Sequence, residues 1–202
     1  MNKDKIHEIA LDFWDKGISI LEEAAKHKNA EFINTIYLVK NKKEFPDELL
    51  KSDDALTVGD LDTSNFVIMP FPFMYTSKEE QGTILKLVKM MSKAFDSDMC
   101  IIVADAYVTK ITKEEKEEGR VVVSPSQDPE RQEALTLSYE AKCGDSIVRG
   151  SAISPYWTLD GNLLIDKDDC DWMHDLSGDT TDSIFFNIIN LGENNGNKSK
   201  NT

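Results

Sequence analysis

The sequence predicts an α+β fold, a mostly antiparallel sheet with two main helices packed on one face of it. Two amphipathic segments, residues 4–28 and 78–95, carry apolar residues at helical spacing. Short runs rich in β-branched and aromatic residues lie between and after them, separated by turn formers. Only residues 66–109 have the strand–helix–strand order of a parallel crossover, so antiparallel pairing is expected elsewhere.

The first half of the chain supplies both helices. Residues 32–39 are a strand candidate after the first helix. The next strand, residues 66–69, meets Pro70 and Pro72, which lack a backbone N–H, so an edge position is expected. Ser77 and Glu80 have the spacing of a capping box that begins the second helix.

The second half of the chain is predicted to form mainly β-strands. Residues 99–109 form a continuous apolar run, typical of a central strand, in which Cys100 is expected to be a buried small hydrophobe. Residues 134–139, 146–153 and 163–165 are joined by short turns, which predicts an antiparallel meander. The last apolar run, residues 184–191, fits either a short helix or a strand.

The chain length of 202 residues fits one sizeable domain. We expect that domain to span residues 1–191. Residues 192–202 are rich in Asn, Gly, Lys and Ser and cannot bury enough apolar surface to offset their ordering entropy, so they are predicted to be a disordered polar tail.

The chain is strongly acidic, with 37 acidic and 23 basic residues and a net charge of −14. Such a surface repels nucleic acid and anionic membranes; it favours solubility or attraction of a basic partner. From Asp160 onward there are nine acids and three bases, a net of −6, and this flank is a first place to look for a partner. A signal-like N-terminus, a long apolar run and a paired cysteine framework are all missing from the sequence, which predicts a cytoplasmic protein without disulfides or a membrane segment.

Asp128, Glu140 and Lys142 suggest one catalytic alternative. Metal-dependent nucleases of the restriction-endonuclease type place an acid near one strand end and Glu-x-Lys on the next strand, where two carboxylates hold Mg²⁺ and the lysine activates water. Glu140 and Lys142 would face the same side of a strand. The opposing interpretation is a polar hairpin end that carries this pattern by chance, and it favours no cofactor.

Cys170, Asp171 and His174 lie in an acid-rich segment, residues 166–182. On a helix, Cys170 and His174 would share a face and could offer two metal ligands, but no second ligand pair exists elsewhere in the sequence. The interpretation preferred here is a solvated acidic loop without a metal.

The segment 124–135 is dense in turn formers, with Asp128-Pro129 and Arg131 before a predicted strand. It is either a rigid connection or a ligand loop in which Asp128 and Arg131 bind. Tyr156 and Trp157, beside Pro155, are the best candidates for an exposed aromatic binding patch, although strand-end packing is the alternative.

The same segment resembles uncharacterised bacterial and phage-type proteins that carry a Ser-x-x-Asp-Pro-x-Arg-x-Glu-Ala-Leu stretch. Asp128-Pro129, Arg131 and Glu133-Ala134-Leu135 match that pattern, whereas its serine position is Pro125 here, between Ser124 and Ser126. The similarity covers residues 5–155. It implies one ordered domain and a phage or prophage origin, and it implies no activity.

Three functional hypotheses follow. The first is a non-enzymatic acidic interaction or accessory protein that binds a protein partner through the edge strand near Pro70 and the acidic C-terminal third. The second is the Mg²⁺-dependent nuclease. The third is a structural component that self-associates through its sheet edge.

Overall fold

In the computed structural model, the described residues of the chain form two α-helices and seven β-strands, which is an α+β fold. The structure describes residues 1–27, 31–44, 65–74, 78–109, 128–159, 162–165, 170–174 and 188–189. The elements are α1 (Lys3–Lys26), β1 (Thr35–Asn41), β2 (Phe66–Pro72), α2 (Lys78–Phe95), β3 (Met99–Val108), β4 (Gln132–Cys143), β5 (Ser146–Leu159), β6 (Asn162–Ile165) and β7 (Asp171–His174). A short 3-10 helix, Lys42–Glu44, follows β1.

The strands form one sheet in the order β2-β1-β3-β4-β5-β6, and β7 pairs with β5 beside β6. Every pair is antiparallel. Because β2 and β3 are both antiparallel to β1, they run in the same direction on either side of it, and α2 connects them as the predicted crossover. The strands β4, β5 and β6 form the C-terminal meander, with Gly144 at positive φ in the first turn.

The two helices pack on opposite faces of the sheet, so the expectation that both lie on one face was wrong. Strand side chains alternate between faces. Tyr37, Ile101 and Leu137 belong to the apolar cluster that α1 covers. Their neighbours Leu38, Cys100 and Ile102 belong to a second cluster, which contains Val88 of α2.

The helix α1 begins at a hydrogen-bonded cap, because the Asn2 side chain accepts from the Lys5 backbone N–H at 2.9 Å. Its buried face comprises Ile6, Ile9, Ala10, Phe13, Trp14, Gly17, Ile18 and Leu21. Gly17 brings the helix close to the sheet, since a Cβ there would lie 2.9 Å from the Val103 side chain. The helical periodicity of the sequence therefore predicted α1 and most of its buried face.

The edge position predicted for β2 is confirmed, since it ends the strand order and pairs with β1. The Phe73 N–H donates to the Asn34 carbonyl at 2.8 Å, toward β1. Backbone N–H groups alternate in direction along a strand, so the nitrogens of Pro70 and Pro72 point away from β1. The missing donors therefore cost the sheet no hydrogen bond.

The helix α2 ends in a Schellman motif with Asp96 in the left-handed region at a φ of 50°. The Ser97 N–H donates to the Ser92 carbonyl at 3.0 Å and the Asp96 N–H to the Lys93 carbonyl at 3.3 Å. Aspartate is one of the residues that tolerate this conformation. The capping-box residue Ser77, by contrast, lies outside the described residues.

The acidic segment after β6 was expected to be a solvated loop, and for residues 171–174 that was wrong. They form β7, which pairs with residues 150–153 of β5. Trp172 packs against the α1 cluster and contacts the Trp14 ring edge-on at 5.9 Å. Of the last apolar run, the described residues Ile188 and Ile189 are buried in the second cluster. The polar tail, residues 192–202, lies outside the described residues, and so do Asp166, Asp175 and Asp182.

Neither helix in the described part of the chain is long and apolar enough to cross a membrane.

Candidate functional site

The antiparallel topology gives the sheet two distinct ends. We call the end where β1, β4 and β6 begin and β2, β3 and β5 finish the open end, and the opposite one the closed end. The predicted binding residues Asp128, Arg131, Tyr156 and Trp157 all lie at the open end. Tyr156 pairs with Glu133 at the start of β4, and Asp128 and Arg131 immediately precede that strand.

A turn positions Asp128 and Arg131. The Asp128 carboxylate accepts from the Glu130 N–H at 2.9 Å, and its carbonyl accepts from the Arg131 N–H at 3.2 Å. Asp128 is buried, so it holds the turn as an aspartate commonly does. Arg131 then places its guanidinium 4.7 Å from the centroid of the Tyr107 ring on β3.

Tyr156 and Trp157 have opposite environments, as neighbours on one strand do. Tyr156 is buried, and its hydroxyl donates to the Asp105 carboxylate at 2.7 Å. Loss of solvent raises the pKa of Tyr156, and the charges of Asp105 and Glu133 raise it further. Loss of solvent also raises the pKa of Asp105, while the bond from Tyr156 opposes that shift. Trp157, in contrast, is 51% exposed.

Exposed apolar side chains concentrate at the open end. The described residues leave eleven large hydrophobic side chains exposed, and six of them lie here. They are Ile33, Met74, Tyr107, Trp157, Leu159 and Leu164. Trp157 lies opposite Leu164 across the β5–β6 pair, and Leu159 shares their strand face. These three residues, which we call the hairpin patch, form a contiguous apolar surface.

A depression of about 550 Å³ adjoins the hairpin patch. It is lined by Gln132, Glu133, Pro155, Tyr156 and Trp157. Its volume lies within the range of about 300–1,000 Å³ that ligand sites occupy. Glu133 is the one acidic side chain among these five lining residues.

The closed end is occupied by ion pairs within the chain. The Asp96 carboxylate accepts from the Lys40 ammonium at 2.9 Å and from the Lys142 ammonium at 2.8 Å. Hydrogen bonds from Lys142 and from Lys40 lower the pKa of Asp96. The Asp98 carboxylate accepts from the Asn41 N–H at 2.8 Å, which ties β1 to the start of β3.

Glu140 is a structural residue that sequence reasoning assigned wrongly to a polar hairpin end. The residue is 2% exposed, and its Oε1 accepts from the Arg149 guanidinium at 2.9 Å. Oε2 accepts from the backbone N–H groups of Ile188 at 2.8 Å and Ile189 at 3.2 Å. The burial of Cys100, together with the Glu140 charge, raises the pKa of the Cys100 thiol, which therefore stays protonated.

The structure does not bring together the carboxylates of the nuclease alternative. Asp128 precedes the first residue of β4, whereas Glu140 lies eight residues beyond that first residue, Gln132. At roughly 3.3 Å per residue, the strand alone separates Gln132 from Glu140 by about 26 Å. One metal ion requires oxygen ligands within about 2–2.6 Å of it. Lys142 is also engaged, because it binds Asp96.

The Cys170 and His174 pair also lacks the helical arrangement that the metal alternative required. Residues 171–174 form the strand β7, so the two residues do not share a helix face. Cys170 is partly buried against the α1 cluster. Within the described ranges, no three His, Cys, Asp or Glu side chains are grouped so that they could hold a metal ion.

No protein-family model matches the sequence, and neither a curated protein nor a solved structure shows significant similarity to it. The resemblance to phage-type proteins therefore stays a prediction, and the functional argument depends on the site itself.

Proposed function

We propose that this chain is a non-enzymatic interaction protein and that a protein segment with positive charge docks on the open end. The hairpin patch carries the proposal, because it places Trp157, Leu159 and Leu164 on one exposed surface beside a depression. Exposed apolar surface of this kind is typical of protein contacts, in which tryptophan often contributes most of the binding energy.

Charge supports a basic partner. Glu133 lines the depression, and the Asp105 carboxylate accepts from the hydroxyl of the lining residue Tyr156. The whole chain carries a net charge of −14, so long-range attraction acts on cationic segments and repulsion on nucleic acid. Salt should weaken the complex, since exposed charges are screened over about 8–10 Å at 0.1–0.15 M salt.

The edge strand β2 gives less support to docking or self-association near Pro70. A strand added there would meet two outward positions, Pro70 and Pro72, that lack an N–H donor. Natural sheets use proline at edges to discourage such pairing. The open end is therefore the preferred docking surface. Much of the acidic C-terminal third lies outside the described residues and adds only its charge to the proposal.

The nuclease alternative has no comparable support, because Asp128 and Glu140 lie toward opposite ends of β4. The resemblance stated above extends the proposal to a phage-encoded accessory protein acting in the host cytoplasm. That extension depends on the matched segment alone.

Site-specific photocrosslinking tests the proposal. A photoreactive phenylalanine analogue would replace Leu159 at the open end or, as the matched control, exposed Lys43 beyond the closed-end terminus of β1. In lysate of the source organism, position 159 should give one discrete adduct with a basic protein. Added salt and Trp157→Ala should both reduce that adduct. The same adducts from both positions, or none from position 159, would count against the proposal.

A further inference from the structure

The helix α2 packs on the sheet with only part of its surface. Val88 and Ser92 face inward and are 1% and 3% exposed. A separate strip of the helix is exposed and carries no charge. Its four members lie at spacings of four, three and four residues, which places them on one helix face. They are Thr83, Leu87, Met90 and Ala94, and we call them the α2 strip.

The α2 strip has the composition of a helix–helix contact. Leu87 is 48% exposed and Met90 is 63% exposed. The Thr83 hydroxyl donates to the Glu79 carbonyl one turn earlier, at 3.1 Å, so it is engaged within the helix. Uncharged residues repeated at spacings of three and four form the surface by which one helix packs against another. The packing of α2 on the sheet does not use this surface, because the helix buries a different face.

A row of three lysines runs beside the α2 strip. Lys86 lies four residues before Met90 and Lys93 lies three residues after it, so both flank that side chain, with Lys89 between them in the row. Residues 81–95 contain no acid, although the whole chain carries a net charge of −14. Within the described part of the chain, none of the three lysines is paired with a carboxylate. The helix therefore presents a local positive row next to an apolar strip.

A second copy of the chain does not complement this surface. Antiparallel pairing of two α2 helices would bring two lysine rows together, and like charges in such contacts repel each other. Parallel pairing would set each lysine row against the other flank of the strip, where Ile84 and Met91 supply no carboxylate. Two chains of net charge −14 also repel each other at long range.

We infer that the α2 strip binds an amphipathic helix of a protein partner, one whose apolar face is flanked by glutamate or aspartate. That apolar face packs on Leu87 and Met90, and the flanking carboxylates pair with Lys86 and Lys93. This second surface goes beyond the proposed docking of a basic segment at the open end and does not depend on it. With both surfaces occupied, the chain connects a basic partner to an acidic one.

The test uses two synthetic peptides of about three heptads, both with leucine at positions a and d. The acidic peptide has glutamate at positions e and g, and the basic peptide has lysine there. The chain contains 7 methionines, so the full-length protein with labelled methionine methyl groups gives seven NMR signals, and Met90→Leu assigns the relevant one. The acidic peptide should shift the Met90 signal saturably. The basic peptide should bind there at least about tenfold more weakly.

Two double variants separate the lysine row from overall charge. Lys86→Gln combined with Lys93→Gln should weaken binding of the acidic peptide by about fivefold to tenfold. The matched control, Lys16→Gln combined with Lys26→Gln, removes two charges from α1 on the other face of the sheet and should change the affinity by less than about twofold. Leu87→Ser should also weaken binding. Because Leu87 is 48% exposed, that substitution should leave urea unfolding nearly unchanged.

The inference would be overturned by an unshifted Met90 signal with the acidic peptide, by equal shifts with both peptides, or by equal effects of the two double variants. Phosphatidylglycerol vesicles serve as an additional probe. If the Met90 signal responds to these vesicles and not to the acidic peptide, the lysine row is a membrane contact and the inference fails. The crosslinking result at position 159 is a separate measurement, so the inference and the proposed function can each fail alone.

Discussion

The two ends of the sheet differ in how their polar and apolar side chains are arranged. At the closed end, Lys40, Asp96 and Lys142 satisfy one another, and the Asp98 carboxylate accepts a backbone N–H from β1. At the open end, six large hydrophobic side chains remain exposed beside acidic groups. One sheet therefore combines an end whose polar groups bond to one another with an end that leaves large apolar side chains exposed. The following changes would sharpen or break that contrast.

Glu140→Ala should have the largest effect on stability, because Glu140 ties the closed half of β4 to Arg149 and to the Ile188–Ile189 backbone. The alanine would leave a partly buried guanidinium and two buried N–H groups without this acceptor. We expect a loss of about 3–5 kcal/mol in the free energy of unfolding, measured by urea titration. Glu140→Gln keeps an acceptor and should lose less. A loss below about 1 kcal/mol in the alanine variant would contradict the structural role.

Gly150→Ala should have the second-largest effect on stability. Tyr139 pairs with Gly150 across β4 and β5, and a Cβ at position 150 would lie 2.5 Å from the Tyr139 ring. The ring would have to move, at a cost of about 1–3 kcal/mol. In a Tyr139→Leu background the same glycine substitution should cost less. Equal costs in both backgrounds would show that the ring does not set the requirement for glycine.

Acidification should lower the free energy of unfolding by a smaller amount, because it removes the charge of Asp96 at the closed end. Hydrogen bonds from Lys142 and Lys40 lower the pKa of Asp96 in the folded protein from its ordinary value of 3.8. Its contribution to stability is therefore present above that ordinary value and is lost as the pH falls through the lowered one. Because Asp96 is largely exposed, the contribution should be at most about 1 kcal/mol.

The control for this experiment is Asp96→Asn, because asparagine also tolerates the left-handed conformation at the end of α2. Between about pH 5 and pH 2, the parent chain should lose more stability than the variant. Parallel pH curves for the two proteins would contradict an electrostatic role for Asp96.

Substitutions at the open end should have the smallest effect on folding. Leu159→Ser and Met74→Ser alter side chains that are 59% and 74% exposed. We expect each to change the free energy of unfolding by less than about 0.5 kcal/mol in thermal or urea unfolding. Under the docking proposal, Leu159→Ser should nevertheless weaken partner binding. A large destabilisation would show that the exposed surface serves the fold instead.

Local patterns in the sequence predicted most of this architecture. Helical periodicity located α1 and α2, and Pro70 and Pro72 placed β2 at the edge. The pattern could not assign the helices to faces of the sheet, because an amphipathic helix can pack on either one. The strand β7 was not predicted, because its four residues begin with Asp171 and end with His174 and are too few to show a clear alternation. Its formation depends instead on pairing with residues 150–153 of β5, which are distant in sequence.

The candidate site, like the fold, was predicted only in part from local sequence patterns. Turn formers and aromatic residues in the sequence predicted Asp128, Arg131 and Trp157 as candidate binding residues, and all three lie at the open end. Only one local feature of the sequence pointed to Asp96, namely that it is a polar residue able to adopt positive φ immediately after a predicted helix. Its ion pairs at the closed end could not be predicted from that feature. The role of Glu140 had none, because its backbone partners, Ile188 and Ile189, lie 48 and 49 positions further along the chain.

That separation in sequence has a consequence for the rate at which the fold is lost. Contacts between distant residues usually form after local hairpins, because closing a long loop costs entropy first. The bonds from Glu140 to Ile188 and Ile189 are therefore expected to be absent from the folding transition state. Weakening them should accelerate unfolding and leave the folding rate nearly unchanged. A single buried carboxylate would then govern the lifetime of the native state.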